Sequence, residues 1–220
     1  NRTVYRYDAE NGTFLSSYTA ELDGRYSGAY KESWAYGPTM AIEDGILFVG
    51  DVVANRIYKY DADSGASLGS FSASIDGRHS NAYEESWAYG PTTVVEDGVV
   101  YVGNVNNRTV YRYDADDGTL LSSFSAELDG KYSSAYKESW GYGPTMSIAD
   151  GVLCVGDVNA RRVYMYDAET GDSLGDFGAE LDGKYSGAYE ESWAYGPTMA
   201  IDGGAFVGGN NVTISADPNS

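Results

Sequence analysis

A period of 53 residues constrains this chain more than any other feature. Trp34, Trp87, Trp140 and Trp193 stand 53 apart. So do Asp8, Asp61, Asp114 and Asp167, and Pro38, Pro91, Pro144 and Pro197. These positions use all four Trp and four of the five Pro. A fixed period marks an array in which each repeat buries its apolar faces only against its neighbours. The copies are close to identical, so recurrence records amplification as well as need.

Each repeat reads as four short strands, A to D. Strand A is Pro38 to Ile42, with Met40 and Ile42 on one face. Asp44-Gly45 follows, a dipeptide suited to a two-residue hairpin in which both residues take positive φ. Strand B, Ile46 to Gly50, is an almost unbroken apolar run, which suits burial on both faces. Strand C is Ile57 to Tyr60. Asp61 to Gly65 forms a turn. Strand D is Ser67 to Ser72, with Leu68 and Phe71 as apolar anchors. A long connection, Ile75 to Gly90, leads to the next strand A.

Four antiparallel strands repeated at this length predict an all-β propeller in one domain, 1–220. Its blades are 38–73, 91–126, 144–179 and a composite of 197–214 with 1–20. The chain opens on strand C (Thr3 to Tyr7) and D. It ends on strands A (Pro197 to Ile201) and B (Ala205 to Val207). One blade is thus split between the termini, a device that ties a ring shut and protects its edges.

The run Gly90-Pro91-Thr92, Glu96 to Gly103 and Asn107 to Asp114 resembles an NHL-type propeller repeat. The turn Tyr166-Asp167-Ala168-Glu169-Thr170-Gly171 resembles the blades of quinoprotein-like propellers. Both resemblances imply the architecture and neither implies an activity. Such propellers commonly have six to eight blades, which leaves open a ring shared by two chains.

The charge balance is 14 Lys+Arg against 33 Asp+Glu, a net −19. That surface repels phosphate backbones and anionic membranes, which argues against nucleic acid as a partner. No run approaches the roughly 20 apolar residues of a membrane-spanning helix. The acidity fits adaptation to high salt or a set of divalent-cation sites, and its even spread favours the first. The single Cys154 rules out an internal disulfide and lies in an apolar run, as a core residue would. No leader is visible, and a first residue other than Met points to processing or to an excerpt of a longer protein.

The candidate binding residues lie on the long connections. They are Tyr26, Tyr30, Trp34 and Tyr36, then Tyr83, Trp87 and Tyr89. The third and fourth copies carry Tyr132, Tyr136, Trp140, Tyr142, Tyr185, Tyr189, Trp193 and Tyr195. Tyr and Trp offer flat amphipathic surface at low entropic cost. Placed beside carboxylates they suit glycans or another protein. For Trp34 and its equivalents the simpler role is to plug the seams between blades, whereas the Tyr residues are too many for all to be core.

Asp23, Glu32, Asp76, Glu85, Asp129, Glu138, Asp182 and Glu191 are the candidate cation ligands. Calcium is the ion they would take, although a turn role for Asp-Gly is the simpler one. Asn1, Asn11, Asn107 and Asn211 open N-glycosylation sequons. His79 is the one histidine and faces Tyr at the same position of the other repeats, so no His triad or multi-His metal site can be built.

Four near-equal copies supply little of the asymmetry an active site needs. The expectation is a non-catalytic extracellular or cell-surface scaffold without a cofactor, for multivalent binding or self-assembly in a high-salt organism. The tail Asn211 to Ile214 resembles a strand C and could pair with a neighbouring molecule. A carbohydrate-binding propeller is the alternative, and a quinoprotein-like enzyme or a lyase ranks third.

Overall fold

The computed structural model of the 220-residue chain describes residues 3–20, 40–51, 54–74, 92–104, 107–128, 145–157, 162–179, 198–202 and 205–209. All regular structure among the described residues is strand. The chain divides into two compact parts, Asn1–Leu128 and Asp129–Ser220.

The N-terminal part holds three antiparallel sheets. Strands β1 (Thr3–Tyr7) and β2 (Phe14–Thr19) pair with each other. Strands β3 (Met40–Glu43), β4 (Ile46–Asp51), β5 (Arg56–Asp61) and β6 (Ser67–Ser72) form a four-stranded meander. Strands β7 (Thr92–Glu96), β8 (Val99–Asn104), β9 (Thr109–Asp114) and β10 (Leu120–Ser125) form a second.

The C-terminal part holds a meander of β11 (Thr145–Ala149), β12 (Val152–Asp157), β13 (Arg162–Asp167) and β14 (Ser173–Gly178). It also holds the pair β15 (Thr198–Asp202) and β16 (Ala205–Gly209). The segments expected as the two halves of a split blade each form a two-stranded sheet of their own, β1–β2 and β15–β16. The tail from 211 lies outside the described residues.

Local chemistry sets each turn. Asp44, Asp97 and Asp150 take φ of 47°, 51° and 52°, and each precedes a glycine also at positive φ, as a two-residue hairpin requires. The C–D turn is closed by its leading Asp. Asp61 Oδ1 accepts from the Ser64 amide at 2.7 Å, and Gly65 N donates to Asp61 O at 2.8 Å. Asp8, Asp114 and Asp167 hold their turns in the same way.

Strand B is buried on both faces, as its apolar run predicts. In β4, Leu47 and Val49 pack with Val4, Tyr18 and Ala20 of the preceding sheet. Phe48, between them, packs with Val100, Val102 and Tyr113 of the following one. Each such side chain contributes about 1.5–3 kcal/mol by leaving water. The period of two along one strand thus cements three sheets.

Strand D departs from expectation. Leu68 is not an anchor, because it is exposed while Phe71 is buried. Tyr60 pairs with Ser67 and Lys59 with Gly69, so Leu68 is the extra residue of a β-bulge. The bulge turns it out of the core. Leu15, Leu121 and Leu174 hold the same place and are also exposed.

Candidate functional site

Each meander has two ends with different chemistry. One carries the A–B and C–D turns, held together by Ala62 N donating to Gly45 O at 2.8 Å and Ala115 N to Gly98 O at 2.9 Å. The other carries the B–C turn and the end of strand D. There Ala73 N donates to Asn55 O at 3.0 Å, and Ala126 N to Arg108 O at 3.0 Å. Strand D ends there, and the connections that follow it in sequence, 75–91 and 129–144, lie outside the described residues.

The departure point of 75–91 is fixed by the next sheet. Ser74 N donates to the Tyr113 hydroxyl at 2.9 Å, and Asn104 Nδ2 donates to Ser74 O at 3.3 Å. Ser74, the last described residue before that connection, is thus tied to the following sheet. The sequence reading missed Ser74, Asn104 and Tyr113. Tyr113 recurs as Tyr7, Tyr60 and Tyr166, so a scan of polar positions at the 53-residue period could have found it.

The sheets are joined by a repeated contact. Tyr18 of β2 lies over Gly65 in the next sheet's turn, and Phe71 of β6 lies over Gly118 in the turn after that. A cation crosses the same seam. Arg6 reaches the Asp63 carboxylate and donates to Asp63 O at 3.0 Å. Lys59 Nζ donates to Ala115 O at 3.0 Å and Asp116 O at 2.5 Å. Nearer the A–B turns, Gly98 N donates to Glu43 Oε2 at 2.9 Å.

Protonation follows from these surroundings. The Ser64 hydroxyl and amide hold the Asp61 carboxyl below its ordinary value, and the Thr119 side chain and amide do so for Asp117. Burial pushes the Tyr101 hydroxyl up, opposed by Arg112, whose guanidinium lies 5.7 Å over its ring. Burial also raises the thiol of Cys154, which packs with Val163, Met165 and Phe177 as a core residue.

The fifteen loop aromatics, from Tyr26 to Tyr195, lie outside the described residues, as do His79 and the eight loop acids from Asp23 to Glu191. Asn1 and Asn211 do too. Asn11 and Asn107 are exposed. Asn11 Oδ1 accepts from Thr13 N at 2.9 Å, and Asn107 Nδ2 donates to the Tyr111 hydroxyl at 2.7 Å. Among the described residues no three His, Cys, Asp or Glu converge on one point. Among them, too, no helix is long and apolar enough to cross a membrane.

A profile of the PQQ-type repeat family described as outer membrane protein assembly factor BamB matches residues 1–131, more than half of the chain. Among solved structures, the chain is similar to glutaminyl cyclase from Myxococcus xanthus, at 9% identity and a TM-score of 0.54, covering 94% of this chain and 76% of that one. It is also similar to BamB from Moraxella catarrhalis, at 15% identity and a TM-score of 0.48, covering 94% of this chain. It spans about half of that BamB chain, 48%. No curated protein matches. At these identities the solved structures speak to fold alone. Of the two resemblances read from the sequence, the quinoprotein-like one is that of the matching family, over residues 1–131, and the NHL type is not shown.

Proposed function

The chain belongs to the PQQ-type repeat family described as outer membrane protein assembly factor BamB, and we propose on that basis that it is a non-catalytic scaffold that engages other proteins outside the cytoplasm. The observation that carries this reading is the anchoring of a D–A connection. Ser74 is held by Tyr113 and Asn104 of the following sheet, so the segment after it starts from a fixed point on a stack of like sheets. Repeated Tyr/Trp loops on rigid, similar sheets suit multivalent contact with polypeptide, where aromatic side chains supply most of the binding energy.

In this reading β1–β2 and β15–β16 are the C–D and A–B halves of one blade of a four-bladed array. The net charge of −19 keeps the surface soluble in high salt, at an extracellular or cell-surface location. No cofactor is needed.

Binding to a polypeptide is the direct test. The probe is an outer-membrane β-barrel polypeptide diluted from urea, with a glycan array as the second arm. Saturable binding to the polypeptide is expected, weakened at least about tenfold by Trp34→Ala with Trp87→Ala, as for aromatic hot spots. Glycan hits lost in the same double variant, with no polypeptide binding, would overturn the reading in favour of a lectin.

A further inference from the structure

The C–D turns share one plan, and one of them differs in chemistry. Asn11 holds the place that Ser64, Asp117 and Thr170 hold in the other three turns. Each of these side chains reaches two residues on. Asn11 Oδ1 accepts from Thr13 N at 2.9 Å, and Asp117 Oδ1 from Thr119 N at 2.7 Å. Ser64 Oγ accepts from Ala66 N at 3.2 Å, and Thr170 Oγ1 from Asp172 N at 3.2 Å. Each is followed by a glycine at positive φ, 72° at Gly12. Only the first turn joins a carboxamide to that glycine, and Asn11-Gly12 is the one Asn-Gly pair in the chain.

That pair has a reaction of its own. The carboxamide carbon is an electrophile, and attack on it by the amide nitrogen of the next residue closes a five-membered ring. Gly12 puts no Cβ beside the attacking nitrogen. The Thr13 N–H already lies on Asn11 Oδ1, where negative charge develops during the attack. A donor fixed at that point stabilises the charge, as in an oxyanion hole. The main chain on the other side is held too, because Asp8 Oδ1 accepts from Glu10 N at 2.9 Å and Asn11 N at 3.1 Å.

The other turns lack the reaction. Ser64 and Thr170 have no side-chain carbonyl. Asp117 offers a carboxylate, which its bonds to Thr119 keep charged and which is a poor electrophile. One bond opposes the step in the first turn. Gly12 N donates to Asp8 O at 2.8 Å, and this bond must open before the nitrogen can turn to the carbon. The turn therefore slows the attack without removing any of its parts. Every group needed, water apart, belongs to residues 8–13, so the step is independent of what lies against the sheet.

We propose that Asn11-Gly12 is a site of spontaneous deamidation, which converts the first C–D turn into a mixture of aspartyl and isoaspartyl forms. The Gly12 nitrogen gives its proton to a base in solution and attacks Asn11 Cγ. The bond from Cγ to the side-chain nitrogen breaks. That nitrogen takes up a proton and leaves as ammonia, and a succinimide ring remains. Water then opens the ring. Cleavage of the new bond to Cγ leaves aspartate, and cleavage of the original peptide bond leaves isoaspartate. One water is consumed and one ammonia released, with no oxidant or cofactor.

The two products differ in what they do to the turn. Aspartate at position 11 repeats the Asp117–Thr119 arrangement, so the turn keeps its bonds and gains a negative charge. Isoaspartate lengthens the main chain by a methylene between Asp8 and Thr13. Asp8 N donates to Thr13 O at 2.8 Å and Tyr7 pairs with Phe14, and both pairings depend on the number of atoms between them. This form loosens the β1–β2 hairpin. Either product destroys the acceptor amide of the sequon at Asn11.

Ageing of the native chain at mildly alkaline pH is the test, read by peptide mass mapping and by a methyltransferase specific for isoaspartate. The mass change of an amide turned into an acid should appear at Asn11 ahead of every other Asn. It should be slower than in the guanidinium-unfolded chain, and the peptide should become a methyl acceptor. Asn11→Ser, which installs the residue of the second turn, should abolish both signals in that peptide. Gly12→Ala should slow conversion at least about tenfold, because a Cβ hinders the approach of nitrogen to carbon. Separated by anion exchange, the aspartyl form should melt with Asn11→Asp and the isoaspartyl form below it. An Asn11 that stays intact in the native chain while it converts in the unfolded one overturns the proposal. So does an unchanged rate in Gly12→Ala. An isoaspartyl form that melts with the parent chain overturns the loosening of the hairpin.

Discussion

Phe71 on β6 fills the space above Gly118 in the turn of the next sheet, so closely that a Cβ on Gly118 would stand 2.2 Å from the Phe71 Cβ. The glycine is needed twice over, for its φ of +75° and for this approach. Gly118→Ala is expected to lower stability by about 2–4 kcal/mol, from left-handed strain plus overpacking. Gly45→Ala is the control, because its φ is +76° but a Cβ there meets nothing within 4 Å. It should cost only the strain, about 1–2 kcal/mol. Urea unfolding of the two variants measures the difference.

Lys59 ties the same seam by a charge-assisted contact. Its ammonium donates to two backbone carbonyls of the next turn, Ala115 O and Asp116 O. Lys59→Met removes both bonds and keeps most of the apolar stem. The carbonyls regain water at this partly exposed site, so the expected loss is about 1 kcal/mol, not the several of a buried charge. A drop of more than about 3 kcal/mol in urea unfolding would mean that the lysine does more than span the seam.

What could be read from the sequence was whatever a single repeat decides for itself. Asp44-Gly45 forms its hairpin because two adjacent residues suffice. Strand B is buried on both faces because its apolar run admits no polar side. The error at Leu68 has a different origin. Its place depends on pairing two residues of β6 against one interval of β5, and composition carries no count of that kind. The Tyr18–Gly65 and Phe71–Gly118 contacts join different repeats. They become visible only when one repeat is laid against the next, although their recurrence at 53 residues was in view. The loop aromatics follow from residue type and from their place in the long D–A connections, which lie outside the described residues.

The C–D turn makes a pH prediction. The Ser64 hydroxyl and amide favour the charged Asp61 carboxylate, so its folded value lies below the ordinary 3.8. A depressed carboxyl contributes stability that is present above its unfolded value and is lost as pH falls through the folded one. Its effect is therefore confined to the region below about pH 4. Ser64→Ala should move the Asp61 midpoint up toward 3.8, as followed by NMR titration. It should also make the acid limb of the thermal melting profile shallower. An unchanged midpoint would show that the backbone amides alone set the shift.

Cys154 makes the complementary prediction at alkaline pH. Burial disfavours the thiolate, so the folded thiol titrates above the ordinary 9.0. The unfolded chain then loses its proton first, and unfolding releases a proton in that window. The neutral thiol's contribution is fully present below the unfolded value and is lost as pH rises through the folded one. Stability should thus fall above about pH 9, and Cys154→Ala should flatten that part of the slope while lowering stability at pH 7 through the small cavity it leaves. Tyr101 and Tyr18, whose hydroxyls are also raised, keep some alkaline slope in the variant. A thiol reagent supplies the kinetic check. In the native chain at pH 8 its reaction should be slow and should accelerate in step with unfolding in urea, because the thiol sits among Val163, Met165 and Phe177. Labelling of the native chain at the rate of an exposed thiol would remove Cys154 from the core.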